Sequence, residues 1–262
     1  MIKILAGEAK AFSSKEAIIF DLDDTLTESK TSLSQEMASL LCCLLKKRKV
    51  MVIGGGNLSQ FMEQFVKHLD CPAQGLGNLF IAPTSGASMY ENKDGVWKEI
   101  YRRALTLQEK RKVLSAFKSS IQDIRYGKPK KIYGQIIEDR KSQITFSALG
   151  QKAPLKAKEK WNKESDIRKV LKGTLERYLP EFEVRLGGLT SVDITKKGID
   201  KAYGVRFLSN LLGIPIEAMI YVGDALYEGG NDEVVKKTGI STLQVEGFED
   251  TKVFIRTILS FL

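Results

Sequence analysis

Ala17-Ile18-Ile19-Phe20-Asp21-Leu22-Asp23-Asp24-Thr25-Leu26-Thr27 is the stretch on which the fold turns. Its first four residues are a short unbroken apolar run, the pattern of a strand buried on both faces in a parallel sheet. The run stops at Asp21, and ligands of open α/β sheets bind at the carboxyl ends of strands. Asp21 and Asp23 stand two residues apart on an extended turn and can face one small volume. Two such carboxylates repel and raise one pKa, so the pair predicts a cation or a shared proton. One can then be a nucleophile and the other a general acid and base. Asp and Thr also cap helices well, and an arbitrary Asp-x-Asp would be read that way. The buried strand before the complete Asp-x-Asp-x-Thr-Leu-Thr string favours a site.

Outward from this stretch, strand and helix alternate. Met37, Leu40, Leu41, Leu44 and Leu45 recur at helical spacing within a helix expected over Ser34–Lys49, with Ser32 and Gln35 at capping-box spacing. Val50–Ile53 reads as a second buried strand, stopped by Gly54-Gly55-Gly56, and Leu58–Leu69 as a helix. After Pro83 the rhythm changes. Ser88–Trp97 looks like a hairpin, and Thr106 with Glu109 opens a helix running to about Ile121. Strands at 134–138, 143–146, 183–186 and 191–194, with a helix at 165–179, suggest an inserted α+β domain. The first rhythm then returns: helix 200–212, strand 219–222 ending at Gly223-Asp224, helix 231–238, strand 241–245 and helix 249–262. The expected architecture is a Rossmann-like parallel-sheet core, residues 1–82 and 190–262, with an α+β cap at residues 83–189.

The 262 residues include 41 Lys+Arg, 32 Asp+Glu, one histidine and three cysteines. With His68 alone, a multi-histidine zinc centre is excluded, and acid–base chemistry falls to carboxylates or lysine. The net charge of +9 is unevenly placed: residues 86–190 carry +11 and the rest −2. A basic insert suits an anionic ligand, and a non-catalytic nucleic-acid binder is one reading of it. No nucleic-acid motif accompanies the charge, so no nucleic-acid partner is expected. Cys42, Cys43 and Cys71 form no Cys-x-x-Cys pair and read as buried or free thiols in a reducing compartment. No apolar run approaches a membrane span, and a cytoplasmic protein with no membrane partner is expected. Trp97 and Trp161 read as packing residues, and Lys128–Lys131 as a solvated loop.

Four strings in order resemble the haloacid dehalogenase superfamily of phosphotransferases. Asp21-x-Asp23-x-Thr25 matches its nucleophile motif, Gly54-Gly55-Gly56-Asn57 its phosphate loop, Lys201 its phosphate-stabilising lysine, and Gly223-Asp224 with Asn231-Asp232 its magnesium motif. The resemblance implies magnesium held by Asp21, the backbone carbonyl of Asp23, and Asp224. It implies attack on phosphorus by Asp21, proton transfer by Asp23 and charge neutralisation by Lys201. Amides near Gly54 and Gly55 would form an anion nest, and Asn231 and Asp232 would steady the metal or Lys201.

The insert's position resembles subclass IIB, and eukaryotic-type phosphomannomutases in particular. Asp224-x4-Gly229-Gly230-Asn231-Asp232 matches their spacing. Gly187-Gly188-x-x-Ser191-x-Asp193 and Arg140 match their cap residues for sugar and phosphate, and the cap is where a homodimer would form. Asp24 stands where those enzymes have glycine, Gly56-Asn57 replaces Ser-Asp, and Gln151 replaces a second phosphate-binding arginine. Lys158 is the nearest counterpart of a third. Arginine grips phosphate through a charged planar fork that glutamine lacks. The reading is therefore a magnesium-dependent phosphatase acting on a small phosphorylated substrate, with phosphomannomutase as the alternative.

Overall fold

The computed structural model describes residues 12–29, 31–127, 129–164 and 167–262. The N-terminal stretch, Lys128 and the Ser165 start of the expected helix lie outside them. The chain parts into two compact units, Arg103–Asp200 and the remainder.

In the larger unit, β1 (Ala17–Asp21), β2 (Lys49–Ile53), β3 (Leu79–Ala82), β4 (Ser88–Lys93), β5 (Val96–Arg102), β10 (Met219–Gly223) and β11 (Ser241–Gln244) form one sheet. Its order is β11-β10-β1-β2-β3-β4-β5. β1 lies between β10 and β2, parallel to both. Strand alternation divides its apolar run between two cores. Ile18 and Phe20 join Val50, Val52, Ile220 and Val222, whereas Ala17 and Ile19 join Met51, Ile53, Met219 and Tyr221. The first core is covered by α1 (Gln35–Leu45), α2 (Leu58–Gln64), α3 (Ala73–Leu76) and α8 (Phe248–Ser260), the second by α7 (Lys201–Leu212). Each fully buried Ile, Leu or Phe stabilises the sheet by about 1.5–3 kcal/mol.

Local chemistry moves several expected boundaries. Ser34, not Ser32, caps α1 by accepting from the Met37 N–H. Asn57 opens α2 through a reciprocal capping box with Gln60. That helix stops at Gln64 and gives way to a 3₁₀ turn, Val66–His68. The helix expected near Asn231 is also 3₁₀, Glu233–Thr238.

The hairpin assigned to the insert belongs to the large sheet. β4 pairs antiparallel with β3, Phe80 opposite Glu91 and Ile81 opposite Tyr90. A lone hairpin is marginal in water. This one buries Met89, Tyr90 and Tyr101 in the cores of the larger unit. The division consequently falls at 102/103 and 200/201 instead of 82/83 and 189/190.

In the insert, β6 (Ile137–Asp139), β7 (Ile144–Ser147), β8 (Phe182–Leu186) and β9 (Ser191–Lys196) form an antiparallel sheet in the order β6-β7-β9-β8. Its helices are α4 (Leu107–Asp123), α5 (Leu155–Glu164) and α6 (Ile167–Tyr178). Val113 and Phe117 of α4, with Leu171 and Leu175 of α6, pack on Phe146, Val184, Val192 and Ile194. α5 has no counterpart among the expected helices: its sequence is mostly lysine, glutamate and asparagine, with Leu155 and Trp161 its only large apolar residues. The redrawn unit still carries the basic excess: 23 Lys+Arg against 12 Asp+Glu, net +11.

Cys42 and Cys71 form a disulfide, and Cys43 alone is a free, exposed thiol. The free-thiol expectation is thus corrected for two of three cysteines, because folding brings α1 against the chain leading to α3. Closing a loop of this length is worth about 3–4 kcal/mol in the chain-entropy account. Alkylation of unfolded, unreduced protein is expected to modify one cysteine, rising to three after reduction, as read by intact mass. Among the described residues, no helix is long and apolar enough to cross a membrane.

Candidate active site

β1 and β10 run in register, with Phe20 opposite Val222. Asp21 ends the first strand and Asp224 follows the second, so both residues lie at the carboxyl end of these parallel strands. Lys201, the first residue of α7, joins them. Its Nζ lies 2.5 Å from Asp21 Oδ1 and 2.6 Å from Asp232 Oδ1. Asp232 is completely buried and also accepts from the Tyr221 hydroxyl and, at 3.2 Å, the Ala225 N–H. Thr25 braces the other carboxylate: its Oγ1 accepts from the Asp224 N–H at 3.1 Å and donates to Asp224 Oδ1 at 3.2 Å.

Burial dominates the electrostatics. It pushes the Asp21 carboxyl well above the usual range, against the pull of Lys201 and with added repulsion from Asp232 and Asp224. Burial and Asp232 push Asp224 up to about 6. Burial works against the Lys201 charge, but Asp21 and Asp232 outweigh it and raise its pKa. Asp21 and Asp232 thus share the Lys201 ammonium, with the partly buried Asp224 carboxyl beside them.

This donor set fits a hard divalent cation. Asp21, Asp224 and Asp232 each offer an oxygen within 4.8 Å of the others, and magnesium prefers carboxylate oxygens. Lys201 and Thr25 engage only the Oδ1 atoms of Asp21 and Asp224. Asp232 instead accepts three hydrogen bonds across both oxygens, which suits it to holding Lys201. Among the described residues, the buried Asn231 Oδ1 has no hydrogen-bond partner, leaving an acceptor in the loop that carries Asp232.

The remaining core residues fall nearby with altered detail. Asp23 Oδ1 accepts from Gln64 Nε2 at 2.9 Å. The Gly54 N–H donates to the Ala82 carbonyl at 3.3 Å, so this amide extends the β2–β3 ladder and is withdrawn from the expected anion nest. Gly55 lies in the same turn, which Thr84 and Ser85 tie down through the carbonyls of Gly56 and Gly54. Asp24 adopts a left-handed φ of 60° and accepts from the Ser29 N–H. Aspartate tolerates that conformation better than most residues, which accounts for its standing where the resembled enzymes have glycine.

Gly230 is sterically required in the loop between Asp224 and Asp232. A Cβ there would lie 2.0 Å from the Ala225 carbonyl oxygen, itself the acceptor for the Asp232 N–H. Gly230→Ala is expected to cost about 2–3 kcal/mol of stability, measurable from melting curves, because the carbonyl that must move also holds the Asp232 N–H.

Within the insert, Ser191 and Asp193 alternate with the core residues Val192 and Ile194 and share the opposite face of the sheet. Thr145 Oγ1 donates to Asp193 Oδ1 at 2.7 Å, and the Ser147 and Ser191 hydroxyls are 3.3 Å apart. Arg140 pairs with Glu138 at 2.7 Å, and Glu138 stands opposite Thr145. A Cβ on Gly187 would lie 2.7 Å from Asp193 Oδ2, so a larger residue there would displace the Asp193 carboxyl. Arg140, Ser191 and Asp193 therefore belong to one polar cluster. Gln151 packs against Gly134, and Lys158 is buried on α5. Gln64, Thr145 and Tyr221 were missed by sequence reasoning, and Thr25 entered it only as a letter of the nucleophile string, since hydrogen bonds between separate elements leave no local pattern.

Residues 18–232 match a family described as haloacid dehalogenase-like hydrolase. The chain is 27% identical over 225 residues to phosphomannomutase 2 of Dictyostelium discoideum, covering 82% of this chain and 84% of that protein. It is 29% identical over 231 residues to a phosphomannomutase of Spinacia oleracea, covering 84% and 86%. The C-terminal domain of C. albicans trehalose-6-phosphate phosphatase has a similar fold, with TM-score 0.64 at 16% identity, covering 97% of this chain and 96% of that one.

Proposed function

The chain belongs to the haloacid dehalogenase-like hydrolases, and on that premise we propose that it is a magnesium-dependent phosphatase hydrolysing a small sugar phosphate. The observation that carries this reading is Lys201 held between Asp21 and Asp232, with Asp224 alongside. Lys201 fixes Asp21 through Oδ1, so the carboxylate is oriented for attack on phosphorus and forms an aspartyl phosphate. Asp23 gives a proton to the sugar oxygen as its P–O bond breaks, then takes one from the water that releases phosphate. Lys201 also balances charge on the phosphoryl oxygens. Asp21, Asp224 and the Asp23 carbonyl would hold magnesium, with Asn231 beside them. When bound, the ion supplies further neutralisation of phosphoryl charge.

Recognition of the sugar phosphate is assigned to the insert's cluster of Arg140, Ser191 and Asp193. Phosphomannomutase activity is the second reading, favoured by the names of the similar proteins. The neutral Gln151 favours hydrolysis, because a mutase must also grip a distal phosphate in either orientation. The test supplies hexose 1-phosphate, magnesium and a trace of hexose bisphosphate, scoring free phosphate and isomerised sugar. Phosphate release is expected. Activator-dependent isomer formation with little free phosphate would transfer the assignment to the mutase. Salt-sensitive RNA binding without turnover of any phosphate ester would instead support the nucleic-acid reading.

A further inference from the structure

We propose that Gln64 is a positioning residue for acid catalysis by Asp23; the inference rests on the phosphatase reading and deepens it. The same Gln64 nitrogen donates to Asp23 Oδ1 at 2.9 Å and to Thr27 Oγ1 at 3.1 Å. Asp23 and Thr27 are already joined by a β-bridge across the turn that carries the catalytic string. Gln64 thus ties the aspartate side chain to the far limb of its own turn.

Its anchorage is firm. Gln64 ends α2, and its neighbours Phe61 and Phe65 are completely buried. Its own carbonyl accepts from the Leu33 N–H at 2.9 Å. The side chain is half-buried and reaches a residue forty-one positions earlier in the chain. Surface packing alone does not require that reach.

The chemistry gives the contact a direction. A carboxylate can only accept, so the glutamine must turn its NH₂ toward Asp23. That NH₂ cannot receive the acid's proton. When Asp23 is protonated, its O–H is therefore directed away from Gln64. In the first half-reaction the sugar–oxygen bond to phosphorus breaks, the Asp21–phosphorus bond forms, and the Asp23 proton passes to the departing oxygen. Proton transfer requires the donor within hydrogen-bond reach of that oxygen, and small misplacements of a catalytic group are costly. Gln64 restrains the Oδ1 side of that carboxyl.

The test uses leaving groups of different basicity. A sugar alkoxide needs the proton; p-nitrophenolate departs without one. The ratio kcat/KM reports steps through phosphoenzyme formation and leaves later hydrolysis aside. Wild type, Gln64→Met, Gln64→Ala and Asp23→Asn are assayed with the preferred hexose phosphate and with p-nitrophenyl phosphate. Both Gln64 variants are expected to lose about 10- to 100-fold on the sugar phosphate, part of the general-acid contribution, and under about threefold on p-nitrophenyl phosphate. Equal losses on both substrates would mark a structural role and overturn the inference. So would an undiminished sugar-phosphate rate while Asp23→Asn is impaired, with the phosphatase reading left standing. If Asp23→Asn itself has no selective effect on the sugar phosphate, the acid role fails, and the inference falls with it.

Discussion

Asp21→Asn is expected to abolish turnover, by about 10⁴-fold or more in kcat, while the protein stays folded. The substitution keeps size and shape but removes the carboxylate proposed as nucleophile, and loss of a nucleophile is among the largest single effects in enzymes. Stability should move little, or rise, in metal-free protein. Burial and the neighbouring Asp232 and Asp224 already disfavour charge at Asp21, so a neutral isostere relieves repulsion that offsets the lost bond to Lys201. Active sites commonly hold such a conflict between stability and activity. Steady-state assays and melting curves in chelator test both halves. Activity within tenfold of wild type would remove Asp21 as the nucleophile.

Lys201→Met is the second large effect, and it falls on the fold as well. Removing the ammonium leaves Asp21 and Asp232, buried at 4% and 0% exposure, without their shared cation. Breaking a buried ion pair from one side costs about 3–5 kcal/mol. At roughly 2–4 °C per kcal/mol for a chain of this size, Tm should drop by roughly 10 °C. Adding Asp232→Asn to Lys201→Met should recover much of the stability and none of the activity, because the repulsion is relieved while the phosphoryl charge stays unbalanced. A cycle of the two single variants and the double variant separates these contributions. Equal Tm for Lys201→Met and wild type would contradict the buried triad.

Asp21 was legible where an apolar strand runs into the Asp-x-Asp string, and Asp224 and Lys201 through the resemblance, whose motifs fall on elements of the same kinds. Of these three residues, two follow apolar strands, and one opens an amphipathic helix. Geometry between distant residues was not legible. Nothing near Gln64 announces Asp23, and nothing near Cys42 announces Cys71. The β4–β5 hairpin was found correctly as a hairpin, yet turn chemistry is silent about which sheet edge it joins; burial of Met89 and Tyr101 decided that. Asp24 is the reverse case. Its departure from glycine raised a chemical question that the left-handed backbone answers sterically.

The central place of β1 also bears on how the chain is made. Its two neighbours are β2, completed some thirty residues later, and β10, aligned across ~200 residues, with Ala17 opposite Met219. During synthesis from the N-terminus, one edge of the middle strand stays unpaired until the whole insert has been translated. An open edge can template aggregation, and such non-local pairing is slow to form. The pairing that finally covers this edge also carries Asp224 to Asp21. Protection from misassembly and the onset of chemistry therefore arrive in the same folding step.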